Sequence, residues 1–168
     1  MVRKTIKNYT TTIAVEKTVM EIEQILSKFG ATNIFKMYED GVVKGLAFQT
    51  IVNDRPLSFK LPLEEDKIKQ VFNHAVSSRE LPEKYRNNIE QARRTGWRII
   101  KDWIDSQMSL IQINTVKFEQ VFLPYMYDIQ TNQTLFEKME KNSFSLQIED
   151  NTNINDIWIG KHYEEIII

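Results

Sequence analysis

The 168-residue chain contains no cysteine, only two histidines, five glycines and four prolines. Without cysteine there is no disulfide scaffold, no thiolate metal site and no cysteine nucleophile, and the absence suits a reducing compartment. The histidines, His74 and His162, stand 88 residues apart, and neither belongs to a HExxH, paired-His or His-carboxylate spacing that would bind zinc. No glycine-rich phosphate loop, dinucleotide fingerprint or nucleophile elbow occurs. Charge of one sign is also missing: 22 basic side chains face 23 acidic ones, so the total neither demands a polyanionic partner nor forbids one. No apolar run approaches the roughly 18 residues of a membrane span. The basic start, Met1-Val2-Arg3-Lys4-Thr5-Ile6-Lys7-Asn8, runs directly into Thr10, Thr11 and Thr12 without the apolar stretch of a signal peptide. A cytoplasmic protein with no membrane partner, no catalytic residue, no metal ligand and no cofactor is the expectation.

What is present is material for a core. Hydrophobic residues make up 42% and aromatics 11% of the chain, enough apolar surface to offset chain entropy, which argues against disorder for most of it. The length is that of one domain.

Local patterns supply the architecture. Residues 9–15 are rich in Thr, Ile and Val and predict a first strand. From Lys17 to Phe29, Val19, Ile22, Ile25, Leu26 and Phe29 recur at spacings of three and four, an amphipathic helix closed by Gly30. The pattern then turns strand-like through Ile34 to Tyr38, and Asp40-Gly41 is a hairpin signal because both residues tolerate positive φ. Val42 to Val52 forms the returning strand. Asn53-Asp54 makes a second turn, and the alternation of Leu57, Phe59 and Leu61 with Ser58 and Lys60 completes a three-stranded meander.

Glu64-Glu65-Asp66 places negative charge on the first turn of the next helix, whose apolar stripe is Ile68, Val71, Phe72 and Ala75. After the breaker Ser77 to Pro82, a long helix is expected from about Glu83 to about Ile113, with its apolar stripe on Ile89, Ala92, Gly96, Ile99, Trp103, Met108 and Leu110 or Ile111. Phe118 to Tyr127 is too apolar for a solvated loop and should pack over the sheet or the long helix. Thr134 can cap a short helix over Leu135 to Lys141, and the Asn-rich stretch from Asp150 to Asp156 reads as a loop or tail. The class is therefore α+β: a small antiparallel sheet of three to four strands packed against helices. One domain spans 1–168, with a β-α-β-β-β-α half over 1–76, a helical half over 83–148, and a loop and tail over 149–168.

The candidate site lies on the long helix. From Lys84 to Lys101 six basic residues, Lys84, Arg86, Arg93, Arg94, Arg98 and Lys101, face the single acid Glu90, a surplus of five positive charges. Arg94, Arg98 and Lys101 follow an i, i+4, i+7 spacing and share a face that can track a phosphate backbone, while Trp97 and Tyr85 are candidates for stacking on bases. Arg3, Lys4 and Lys7 extend the patch only if the N-terminus lies beside it. The plainer account is that Glu90 with Arg94, Arg98 with Asp102 and Lys101 with Asp105 are ordinary i, i+4 pairs of a solvated helix. A Mg²⁺-dependent nuclease built on Glu64, Glu65, Asp66 or Glu164, Glu165 is the weaker alternative, because a helix N-terminus and a tail explain those carboxylates. The order helix, three strands, helix over 17–76 is also that of a double-stranded RNA-binding domain. Acid at the N-terminus of its last helix, where phosphates would dock, speaks against that match.

The run Arg94-Thr95-Gly96-Trp97-Arg98-Ile99-Ile100-Lys101-Asp102-Trp103-Ile104-Asp105-Ser106-Gln107, followed by Val121-Phe122-Leu123-Pro124-Tyr125-Met126, resembles a family of small uncharacterised proteins carried by phages, prophages and other mobile elements of Firmicutes and related bacteria. The likeness extends to the front half through the Phe29-Gly30-Ala31-Thr32 turn and the sheet. It implies a role in a bacterial host cell, either modulating a defence system such as CRISPR or handling phage DNA. Such proteins usually act by stoichiometric binding. The resemblance thus implies a non-enzymatic protein binding a nucleic acid or a host nucleoprotein effector, plausibly as an inhibitor of a CRISPR nuclease. The alternative is a homodimeric interaction module whose core is the aromatic helix with Phe118 to Tyr127.

Overall fold

The computed structural model describes residues 6–144. Here α1 (Val15–Lys28) leads into a hairpin of β1 (Ala31–Glu39) and β2 (Val42–Val52), and β3 (Arg55–Lys60) completes an antiparallel meander in the order β1-β2-β3. Then come α2 (Glu65–Ser77), a 3-10 turn at Glu83–Tyr85 and α3 (Ile89–Gln112). The chain ends its described course with α4 (Phe118–Phe122), a 3-10 turn at Leu123–Tyr125, the two-residue strands β4 (Tyr127–Asp128) and β5 (Gln133–Thr134), and α5 (Leu135–Lys141). The α+β class and the long helix of the second half are as expected.

Turn chemistry sets the sheet. Asp40 and Gly41 adopt φ of 50° and 75°, and Asn53 and Asp54 adopt 48° and 60°, so both hairpins close on two left-handed residues. Such a turn carries the right-handed twist of the strands it joins. Gly30, at φ 91°, ends α1 in the left-handed conformation that a side chain disfavours. Register puts Ile34, Phe48 and Phe59 in line on one face of the sheet, and Phe35, Ala47 and Lys60 in line on the other.

The inner face meets α1, α3 and α4. Val19, Ile22 and Leu26 of α1, Leu46 and Phe48 of β2, Phe59 of β3, Trp97, Ile100, Ile104 and Met108 of α3, and Phe122 of α4 form one core. Phe48, Phe59, Phe118 and Phe122 meet mostly edge to face, at centroid distances of 4.6–6.4 Å. A second, smaller core joins Phe72, Ala75 and Val76 of α2 to Tyr85 and Ala92, with Ile6 and Tyr9 of the N-terminal segment packed on it. Helix α3 packs on both α1 and α2, and Gly96 marks the tight approach to α2. A Cβ there would stand 2.7 Å from Ile68 Cδ1 and from Leu63 Cδ1.

Three expectations are corrected. Residues 9–15 form no strand: the chain turns at residues 7–10, and Val15 already begins α1. Tertiary contacts decide this, since Gln91 Nε2 donates to the carbonyls of both Tyr9 and Thr11 at 2.9 Å and holds the segment against α3. The long helix starts at Ile89, because Arg86 stays extended and Asn87 takes φ 51°, and Asn88 caps it by accepting from Gln91 N. Its buried positions are Ala92, Thr95, Gly96, Trp97, Ile100, Ile104 and Met108, so the stripe is rotated from the expected one. A helix clasped between α1 and α2 buries more than the one narrow stripe assumed from periodicity. The Asn-rich stretch, Glu164, Glu165 and His162 lie outside the described residues, as do Arg3 and Lys4.

Candidate functional site

The structure disperses the basic residues proposed from the sequence. Arg93 points toward α2, where its Nε donates to Glu65 Oε1 at 2.8 Å, while Lys44 Nζ of β2 reaches Oε2 of the same carboxylate at 2.9 Å. Glu65 is almost wholly buried between the two cations. Arg98 points the other way and pairs with Glu21 of α1. Lys101 pairs with Asp105 at 2.9 Å, as the i, i+4 spacing suggested. The side chains of Arg93, Arg98 and Lys101 are each a fifth exposed or less. Arg86 pairs with Glu83, and Lys84 lies 5.4 Å over the Tyr85 ring in open solvent. Arg94 makes hydrogen bonds to Gln91 Oε1, at 3.0 Å from Nη2, instead of pairing with Glu90.

Trp97 is the clearest correction. It is 0% exposed, within the main core, and its Nε1 has no hydrogen-bond partner among the described residues. A side chain so placed cannot stack on a base. Tyr85 is likewise buried, against Phe72 and Tyr9. The described segment from Ile6 does lie beside α3, but its cation Lys7 is neutralised there. Lys7 Nζ stands 2.7 Å from Asp102 Oδ2, and Asn8 Nδ2 donates to the same oxygen at 3.0 Å. Partial burial raises the Asp102 carboxyl, and the bonds from Lys7 and Asn8 outweigh that and hold it below its ordinary range. Arg98 therefore never meets its expected partner Asp102.

The other described carboxylate candidates are also committed. Glu64 pairs with Lys67 and Asp66 with Lys69, and the bond from Lys69 lowers the Asp66 carboxyl. Among the described residues no group of three or more His, Cys, Asp and Glu is placed to hold a metal ion. Trp103 and Phe118 to Tyr127, expected at a dimer core, pack within the chain: Trp103 meets Phe122 at 5.6 Å and Tyr125 at 5.3 Å between ring centroids.

A surface that sequence reasoning passed over emerges on the outer face of the sheet. No described helix covers it. Phe35 is 47% and Ile51 53% exposed there, Phe35 standing opposite the buried Ala47 and Ile51 opposite Pro56. Met37 lies against Gly45, where an added Cβ would sit 3.0 Å from the Met37 methyl. Asn33 Nδ2 donates to Gln49 Oε1 across the strands at 2.9 Å, and Lys60 stands opposite Ala47. The face is apolar at its centre, amide-bearing beside it and nearly free of charge. Period-two alternation in Asn33, Phe35 and Met37 was the signal that could have found it, once the opposite face was known to be the core.

No described helix is long and apolar enough to cross a membrane. Comparison with known proteins finds no matching family model, no similar curated protein and no similar solved structure.

Proposed function

We propose that the chain is a non-enzymatic binding protein whose partner is a protein surface, docked on the outer face of β1, β2 and β3. The observation that carries this reading is the bare apolar face itself. The exposed Phe35 and Ile51 beside the partly buried Met37, with few charges, resemble the composition of an interface centre, and folded chains rarely leave such a patch uncovered without use. The cations from Lys84 to Lys101 support a polyanionic partner less well, because phosphate contacts need free positive charge and four of the six already have carboxylate partners.

The resemblance to mobile-element proteins fits the same reading. A stoichiometric inhibitor of a host effector nucleoprotein needs a shaped surface and no reactive group, and here the contact is with the protein component of that effector. Reversing the sheet surface tests it. The double variant Phe35→Asp/Ile51→Asp should lose co-purification with a CRISPR effector nuclease while keeping its melting temperature, and Lys84→Glu/Arg94→Glu should retain it. Loss with the Lys84→Glu/Arg94→Glu variant alone, or capture that weakens steeply with salt, would transfer the site to the basic segment from Lys84 to Lys101 and to nucleic acid.

A further inference from the structure

Strand β1 forms one edge of the sheet: β2 lies beside it, and no described strand lies on its other side. It is nine residues long, and Asn33 to Met37 pair with β2 without a register shift. Natural edges are commonly blunted by proline, by a free lysine or by shortness. This one has no proline, and its single lysine is tied to α1, with Lys36 Nζ 2.8 Å from Glu23 Oε1.

Hydrogen bonds fix which backbone groups of the edge are left open. The Leu46 carbonyl accepts from the Leu61 N–H at 2.9 Å, so Leu46 directs its groups toward β3. Successive residues of a strand point their N–H and C=O to opposite sides, so Ala47 and Gln49 direct theirs toward β1, where they meet Phe35 and Asn33. Ile34 and Lys36 therefore send N–H and C=O outward, away from the sheet.

Helix α1 leaves room beside that edge. Glu21 holds Arg98 of α3 on one flank of the helix, and Glu23 holds Lys36 of β1 on the other. On the Glu23 flank a cleft of about 610 Å³ opens between Met20, Gln24 and Ser27 of α1 and Ile34 of β1, and Met20 is 49% exposed.

We infer that this edge is the contact with a second copy of the chain, β1 pairing antiparallel with β1 about a two-fold axis at Phe35. Each Ile34 then exchanges both backbone bonds with Lys36 of the other copy. Phe35 stands opposite Phe35 in a non-hydrogen-bonded pair, where side chains approach most closely, and the two half-exposed rings cover each other. Phe35 is the midpoint of the regular stretch from Asn33 to Met37, whereas centring on Ile34 would run the pairing into the irregular end of the strand. Charge disfavours the shift in the other direction, because centring on Lys36 sets two cations opposite each other. The axis, normal to the sheet, also makes the two α1 helices antiparallel. First-turn Glu16 of each is then directed toward the end that carries last-turn Lys28 of the other, and no described ion pair engages either residue. The dimer uses neither Trp103 nor Phe118 to Tyr127. It joins the two outer faces into one continuous surface and does not depend on the partner assigned to that face.

The chain has no cysteine, so single cysteines report the contact directly. In a non-hydrogen-bonded antiparallel pair the Cα atoms are about 4.5 Å apart, within reach of a disulfide. Phe35→Cys should therefore oxidise to a covalent dimer, while Ile51→Cys, at a similarly exposed position on β2, should run as a single chain in denaturing electrophoresis. Light scattering of the parent should give twice 19.9 kDa. Lys36→Pro removes an outward N–H without breaking the β1–β2 ladder, and it should scatter as one chain while keeping the parent's melting temperature to within a few degrees. If Lys36→Pro fails to fold, the two cysteine variants decide alone. A parent that keeps the mass of one chain up to millimolar concentration overturns the proposal. So does a dimer that cross-links through Ile51→Cys and not through Phe35→Cys, because its outer faces would then be stacked.

Discussion

Replacing Trp97 tests whether this residue belongs to the core or to a surface. It is 0% exposed in the main core that also holds Ile100, Ile104 and the apolar residues of α1, with an indole N–H that has no acceptor among the described residues. Truncation to alanine removes a whole buried ring and leaves a cavity, which costs about 3–5 kcal/mol. For a chain of this size each kcal/mol moves the melting temperature by about 2–4 °C, so Trp97→Ala should melt about 6–20 °C lower. Trp97→Phe separates packing from the hydrogen-bond deficit. It loses a few ring atoms, worth about 2 kcal/mol at roughly 0.8 kcal/mol per buried methylene plus some residual void. It also removes a buried donor whose lack of a partner costs about 1–3 kcal/mol. The two terms nearly cancel, and Trp97→Phe should fall within about 1 kcal/mol of the parent by these same magnitudes. Urea denaturation followed by far-ultraviolet circular dichroism reads both, with unchanged slopes required for the comparison. An alanine variant as stable as the parent would refute the burial argument. A phenylalanine variant as damaged as the alanine one would show that the indole N–H does have a partner.

Two charged groups lead to further outcomes. Glu65→Leu leaves Arg93 in a low-solvent position without its carboxylate and should cost about 3 kcal/mol, whereas Glu65→Leu/Arg93→Met should recover part of that loss by replacing the pair with apolar bulk; chemical denaturation of the two variants decides. Asp128 accepts from Lys138 and from the N–H groups of Gln130 and Thr131, and the Lys138 bond foremost brings its carboxyl from 3.8 to about 2. A depressed carboxyl stabilises the fold above its ordinary value, and that contribution is lost as pH falls through the lower one. The β4–β5 hairpin and α5 should therefore loosen between about pH 4 and pH 2 while the Phe48–Phe59 core remains, visible as shifts of the Gln130 and Thr131 amides in an acid titration. Hairpin amides that stay fixed through that window would contradict it.

Local chemistry was legible in the sequence wherever a residue's own conformational preference decides its structure. Asp40-Gly41 and Asn53-Asp54 placed both hairpins, Gly30 ended α1, and Thr134 with Glu137 forms a reciprocal cap at the start of α5. Residues 9–15 misled because Thr, Ile and Val favour strands only when an edge is available to pair with, and here Gln91 takes the carbonyls of Tyr9 and Thr11 instead. The basic face of the long helix misled for a related reason. Spacing along one helix identifies partners within that helix, but Glu65 and Glu21, which neutralise Arg93 and Arg98, come 28 and 77 residues earlier in the chain.

By itself, then, the sequence determined the α+β class, the order of helix, three strands and helix, and the positions of the turns, because each depends on neighbours a few residues apart. Only the tertiary structure decided which faces are spent. Burial of Trp97, capture of Glu65 between Lys44 and Arg93, and packing of Trp103 on Phe122 all join segments far apart in the chain. The same packing leaves the outer sheet face of Phe35 and Ile51 bare, because α1, α3 and α4 all lie on the other side.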